Sequence, residues 1–301
     1  MNNDQFKTIE AAREGKKKVH PILAVVLTIL FLVFGELFML FMLFLPKTNT
    51  TFMKGIYLDL QMVLTFGGTI LAVFLWVRFV EKRPFSSIGL WKEQWMKKYL
   101  RGALLGFIFI SIPVVLLVIT GAVQLQIQHI TTTGIFSIFG SLVAFLIQGA
   151  TEEILVRGWL LPIISVRSRI WIGVAVTSFL FGFLHLFNPD ITILSIFNII
   201  LVGVFAAFYV LKEGSIWGIC AWHSIWNWAQ YNVYGFAVSG TTAYSTPLFK
   251  SVTSGPEFLH GGAFGIEGSM ITTIMLAVVS VGLWRQLWGR KGKSIMPGHN
   301  R

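Results

Sequence analysis

The sequence predicts an all-α fold, a polytopic membrane helical bundle of about eight transmembrane helices, on three observations. Of its 301 residues, 55% are apolar and 12% are charged, whereas a soluble domain is about one quarter charged. Thirteen acids and 24 bases cannot coat a water-soluble particle of this size, so lipid is the main solvent. Apolar runs then recur along the chain near the length, about 20 residues, that crosses a bilayer. Finally, the bases are unevenly shared between the two sides those runs define. The single cysteine, Cys220, excludes an internal disulfide.

Spans are expected near residues 22–45, 56–80, 102–120, 135–165, 170–187, 191–211, 215–233 and 266–288. Residues 1–21 carry Lys7, Arg13, Lys16, Lys17 and Lys18 and read as a basic cytoplasmic tail. The apolar run after Pro21 is too long for a signal-peptide core and has no small-residue cleavage site, so it reads as a retained anchor. Alternating sides along the chain gathers 20 of the 24 bases at one face, in 1–21, 78–101, 165–169, at Lys212 and in 285–301. The positive-inside rule then puts both termini in the cytoplasm. The net charge of +11 is therefore a topology signal. A nucleic-acid partner loses its main support, and anionic lipid headgroups are expected at the cytoplasmic face.

Between the second and third spans, Ile88, Trp91, Trp95 and Tyr99 recur at helical spacing among Lys92, Lys97 and Lys98, which predicts an interfacial helix over 83–100. The chain thus divides into the tail, amino-terminal helices over 22–134, a helical core over 135–233, an external loop over 234–265, and a last span with a basic tail over 266–301. The loop is rich in Gly, Ser and Thr and is expected to have no fold of its own.

In lipid the ionisable residues are informative, because each costs a few kcal/mol at the bilayer centre. Three groups stand out: Glu152, Glu153 and Arg157; His185, four residues after Phe181; and His223 with Asn227. If the fourth span ended at Arg157, Glu152 would lie about 7 Å from the cytoplasmic face and His185 about 22 Å, too far apart to meet. The sequence after Arg157 stays apolar as far as Ser165, and a span ending there lifts Glu152 to about 20 Å. His223 and Asn227 come to roughly 13 and 19 Å, so the groups share a layer. Glu153 and Arg157, four apart, should pair on one helix face. Glu152 points elsewhere and is expected to lack that partner; a carboxylate desolvated in this way suits a general base. His223 and Asn227 face one cavity with donors suited to an oxyanion. Cys220, three residues before His223, is expected to be a small buried apolar residue rather than a nucleophile.

At these residues the chain resembles the CPBP family of intramembrane proteases, which joins the type II CAAX prenyl endopeptidases with bacteriocin-processing, Abi and lysostaphin-resistance-like membrane proteins. The motifs EExxxR, FxxxH and HxxxN stand as Glu152-Glu153-Ile-Leu-Val-Arg157, Phe181-Gly-Phe-Leu-His185 and His223-Ser-Ile-Trp-Asn227, within about residues 137–232. The stretch GPEFLHGGAFGIEGS looks like a tail of bacterial members, and Val156 stands where many relatives carry Phe. The resemblance implies an endopeptidase in a bacterial cell membrane acting on peptide or lipidated-peptide substrates. It implies that Glu152, assisted by His185, activates water while His223 and Asn227 hold the oxyanion, with Glu153, Arg157 and Phe181 in support. Glu152, His185 and His223 are a plausible zinc set, but no HExxH helix is present and Asn is a poor zinc ligand, so a reaction without a cofactor is favoured. The competing readings are a proton-coupled transporter using the same ionisable residues and a non-catalytic scaffold or immunity protein.

Overall fold

The computed structural model describes residues 6–15, 18–46, 50–242 and 246–289. Lys16, Lys17, Lys47 and the bases from Arg290 onward, which entered the topology reading, lie outside them. Helix α1 (Lys7–Arg13) precedes α2 (Pro21–Glu36), which tightens into a 3-10 run over Leu37–Phe44. Then come α3 (Thr51–Leu75), with a π turn over Trp76–Val80, α4 (Trp95–Ile119), and strand β1 (Val123–Ile127). Helix α5 (Thr132–Glu153) passes through a π segment, Ile154–Leu160, into α6 (Leu161–Arg167). They are followed by α7 (Ile170–Leu184), α8 (Ile193–Glu213), α9 (Trp217–Asn232), β2 (Phe249–Thr253), α10 (Glu257–His260) and α11 (Met270–Trp288).

Every expected span is helical, and among the described residues six helices are long and apolar enough to cross a membrane. The protein is an integral, multi-pass, all-α membrane protein. The count of eight spans is where the helices differ from expectation. Helices α7 and α9 have 15 and 16 residues, about 22–24 Å, which falls short of the hydrocarbon thickness of about 30 Å. The run from Thr132 to Arg167, by contrast, is continuous over 36 residues. The apolar sequence past Arg157 does keep that helix going, as the depth argument requires.

Within the basic tail, Thr8 and Ile9 of α1 are buried, the Phe6 amide donates to the Leu211 carbonyl at 3.2 Å, and Lys7 Nζ stands 4.6 Å from the centre of the Trp91 ring. Two local expectations are corrected. Residues 83–100 do not form one helix. A single 3-10 turn, Phe85–Ile88, stops at Gly89 with φ +102°, and α4 begins only at Trp95 after Gln94 with φ +52°. The aromatic spacing was counted across that break. Trp91 instead clamps this connector to the α8–α9 turn, its Nε1 donating to the Gly214 carbonyl at 3.0 Å while its carbonyl accepts from Trp217 Nε1 at 2.9 Å. The 234–265 segment has structure too. Strand β2 pairs antiparallel with β1, from Val123 opposite Thr253 to Ile127 opposite Phe249. Phe264 and Ile266 are fully buried, as is most of His260, which a solvated loop would have left exposed.

Close backbone approaches fix α9 in the bundle. On α4, a Cβ at Gly102 would overlap the Gly218 backbone and one at Gly106 would overlap the Trp222 carbonyl. On α5, a Cβ at Gly149 would lie 2.7 Å from the Ser224 amide nitrogen. Small residues at such spacing let membrane helices pack by van der Waals contact, where no hydrophobic driving force exists between them. Helix α9 is thereby held between α4 and α5, and its His223 and Asn227 are set against α5.

Candidate active site

The polar cluster begins where α5 loosens. Pro162 has no amide hydrogen and its ring would clash with the carbonyl four residues earlier, at Gly158. The helix is widened to π geometry over Ile154–Leu160, ahead of that proline. Such π segments recur at functional sites, and this one starts directly after Glu152 and Glu153. Arg157 lies inside it with no exposure; its Nη1 is 3.0 Å from Glu153 Oε1 and its guanidinium carbon 4.3 Å from the centre of the Phe181 ring. The expected pairing of Glu153 with Arg157 is present, and Phe181 of α7 is its aromatic floor.

His223 of α9 lies between the two glutamates. Its Nδ1 donates to Glu153 Oε1 at 2.8 Å, since a carboxylate only accepts. Its Nε2 faces Glu152 Oε2 at 3.7 Å, too long for a direct hydrogen bond. Glu152 does not share the Arg157 partner but has one of its own: Gln148 Nε2, one turn back on α5, donates to its Oε1 at 2.6 Å. Gln148 Oε1 in turn accepts from Asn227 Nδ2 at 3.0 Å. The chain Asn227–Gln148–Glu152 and the chain His223–Glu153–Arg157 therefore run side by side. Gln148 was missed in the sequence although it sits four residues before Glu152, on the same helix face, as a polar residue in an apolar run.

His185 is the last residue of this set and the least tightly joined to it. It caps α7, its Nδ1 2.7 Å from the Phe181 carbonyl, which is one of the helix-end groups that nothing in lipid would otherwise satisfy. No hydrogen bond or ion pair joins it to Glu152 among the described residues. It does share with His223 a small enclosed cavity, roomy enough for a water-sized molecule, together with Phe181, Trp226, Asn198 and Glu267. Glu267 belongs to the GIEGS stretch, and its carboxylate accepts from the Ser239 amide and hydroxyl, each at 2.8 Å. Asn198 of α8 fixes that stretch by donating to the Glu267 and Ser269 carbonyls at 2.7 and 2.9 Å. A segment read as loop thus closes one wall of the cavity. The sequence offered no spacing signal for it, because its partners lie on other elements.

Two further expectations concern chemistry. Among the described residues no three His, Cys, Asp or Glu side chains converge with metal-ligand spacing. Glu152, His185 and His223 as placed do not fit a tetrahedral zinc, and no step below is routed through one. Cys220 is buried, with Sγ 3.9 Å from the Ala150 carbonyl, and packs between α9 and α5.

Carboxylates, imidazoles and amides converging inside a bundle of membrane helices, beside a cavity of water size, define the class: a helical membrane protein with a buried polar cluster. Comparison with known families makes it particular. The model of the Rce1-like type II CAAX prenyl endopeptidases matches residues 134–229. Residues 134–229 are thus similar to a family of membrane proteases, and the three motifs that carry the resemblance all lie within this stretch. Searches of curated proteins and of solved structures return no match.

Proposed function

We propose that the protein is an intramembrane endopeptidase that hydrolyses membrane-associated or lipidated peptides, with Glu152 as general base. The family is named for prenylated CAAX substrates, which supports a lipidated peptide as the substrate class. The observation that carries the assignment is the contrast between neighbours: the Glu152 side chain keeps 16% of its exposure beside His223, while Glu153 keeps 1%. Glu153 is committed to Arg157 and His223; Glu152 is the carboxylate a water can reach.

In this reading Glu152 takes a proton from a water, whose oxygen bonds to the scissile carbonyl carbon. A gap of 3.7 Å between Glu152 and His223 Nε2 suits a bridged rather than a direct contact. The carbonyl oxygen becomes an oxyanion and accepts from His223 Nε2 and the second amide hydrogen of Asn227. For Nε2 to donate, His223 must be protonated. Two carboxylates against the single Arg157 charge leave one negative charge that an imidazolium balances. His185, its Nδ1 held by the Phe181 carbonyl, lines a cavity with His223 and assists in orienting the water. Collapse of the tetrahedral adduct breaks the C–N bond, and the proton on Glu152 passes to the leaving amine. The termini lie in the cytoplasm by the distribution of bases, and the reaction proceeds without a metal.

The test is cleavage of a membrane-peptide library by purified protein, read by mass spectrometry. Glu152→Gln and His223→Ala should each lower turnover by about a thousandfold or more. Undiminished cleavage by both variants would sink the peptidase assignment. Proteoliposome flux without hydrolysis would favour the transporter reading instead.

A further inference from the structure

A second cleft, of about 460 Å³ and partly open to the outside, lies between α4, α8 and α11. It shares no lining residue with the His185–His223 cavity. Phe109 and Phe205, on its floor, pack against Trp222 with ring centres 6.0 and 4.8 Å away, and Trp222 is itself buried. The cleft is thus walled off from the glutamates.

Its lining is sorted by chemistry along the helix axes. At one end stand Lys97, Lys98 and Arg101 of α4 and Lys212 of α8; at the other lie Leu105, Phe109, Phe205, Val279 and Leu283. From Lys97 to Phe109 the polarity falls over about 18 Å of helix. One acid, Glu213, lines the charged end; it is paired with Arg101 and accepts from the Gly218 amide at 3.2 Å. Three positive charges remain in excess. Between the two ends is Tyr209, 9% exposed, whose hydroxyl lies beside Arg101 and Glu213.

A simple anion makes no use of the apolar half, and a neutral lipid makes no use of the excess bases. We propose that this cleft binds one anionic membrane phospholipid, its phosphate among Lys97, Lys98, Arg101 and Lys212 and an acyl chain along Phe109 and Phe205. Basic side chains near a membrane surface are each worth about 1 kcal/mol towards anionic lipid, and the volume is of ligand-pocket size.

The test is native mass spectrometry of the full chain in neutral detergent, with phosphatidylglycerol or phosphatidylcholine added. It reads binding alone, so its outcome does not depend on the peptidase assignment. One phosphatidylglycerol should be retained per chain, at least about tenfold more tightly than phosphatidylcholine. The exposed-site variant Lys97→Gln/Lys212→Gln should lower that affinity about tenfold or more. Val279→Trp, which fills the apolar half and leaves the charges, should lower it as well, and millimolar inorganic phosphate should not displace the lipid. Equal retention of the two lipids would overturn the proposal. So would undiminished binding by both variants, or displacement by phosphate with Val279→Trp binding normally, which would describe an anion site only.

Discussion

Replacing Glu153 by Gln would leave the Arg157 guanidinium at zero exposure with no counter-charge of its own; its Nε and Nη2 already have no hydrogen-bond partner. Removing one partner of such a buried pair costs about 3–5 kcal/mol. Arg157→Met should cost a similar amount, since Glu153 and Glu152 would then face each other across His223 without the guanidinium. The combination behaves differently. An amide at position 153 still accepts from His223 Nδ1, and a thioether fills the space over Phe181 with a favourable sulfur–ring contact. Replacing a whole buried pair by neutral groups is often close to neutral, so the double variant should cost no more than about 2 kcal/mol, a coupling of at least about 4 kcal/mol. In thermal unfolding of all four forms in one detergent, at about 2–4 °C per kcal/mol, each single variant should lose roughly 6–20 °C and the double variant far less. Peptide cleavage should not return with stability, because the charge-assisted hydrogen bond that orients the His223 ring is lost. Additive single effects, with coupling below about 0.5 kcal/mol, would refute the reasoning that these charges act as a unit.

Gln148→Leu removes the donor to Glu152 and the acceptor of Asn227 together; turnover should fall about 10–100-fold with KM little changed, and wild-type kinetics would show that Gln148 positions neither. Gly102→Leu forces a side chain into the Gly218 backbone; it should destabilise the fold by about 1–3 kcal/mol or more, seen as a lower Tm. Cys220→Ala should retain full cleavage activity, as a buried cysteine acting only as a small packing residue would. Exhaustive chelation followed by metal analysis should leave cleavage intact in the metal-free protein; loss of activity restored by zinc would overturn the glutamate mechanism.

What could be read from the sequence follows the range of each interaction. Contacts within one helix are fixed by periodicity, so the Glu153–Arg157 pair and the extension of the helix past Arg157 were legible from spacing and from the apolar run to Ser165. Depth arithmetic also brought the motifs into one layer. Spacing along one helix says nothing about which groups on other helices fill a shared gap. The His223 ring, lying between both glutamates, and the closure of the cavity by Glu267 depend on how α9 and the segment before α11 are placed. The interfacial helix over 83–100 failed for a local reason: Gly89 adopts a left-handed conformation, which a periodicity count does not register. The β1–β2 pair was hidden because two strands of five residues each, far apart in sequence, carry little pattern of their own.

The proposed chemistry rests on an imbalance already visible in the motif EExxxR. Two adjacent carboxylates and one guanidinium leave a negative charge that lipid will not solvate. A helix-packing network would remove it by dropping one glutamate. Here the charge is kept, and His223 is placed within reach of both oxygens, 2.8 Å from one glutamate and 3.7 Å from the other. The shorter contact holds the ring in one orientation. The longer one leaves room between a base and a donor. In the proposed mechanism, adjacent residues on one helix take separate tasks because their neighbours differ: Arg157 and burial tie Glu153 to His223, and Gln148 with partial exposure leaves Glu152 oriented and reachable.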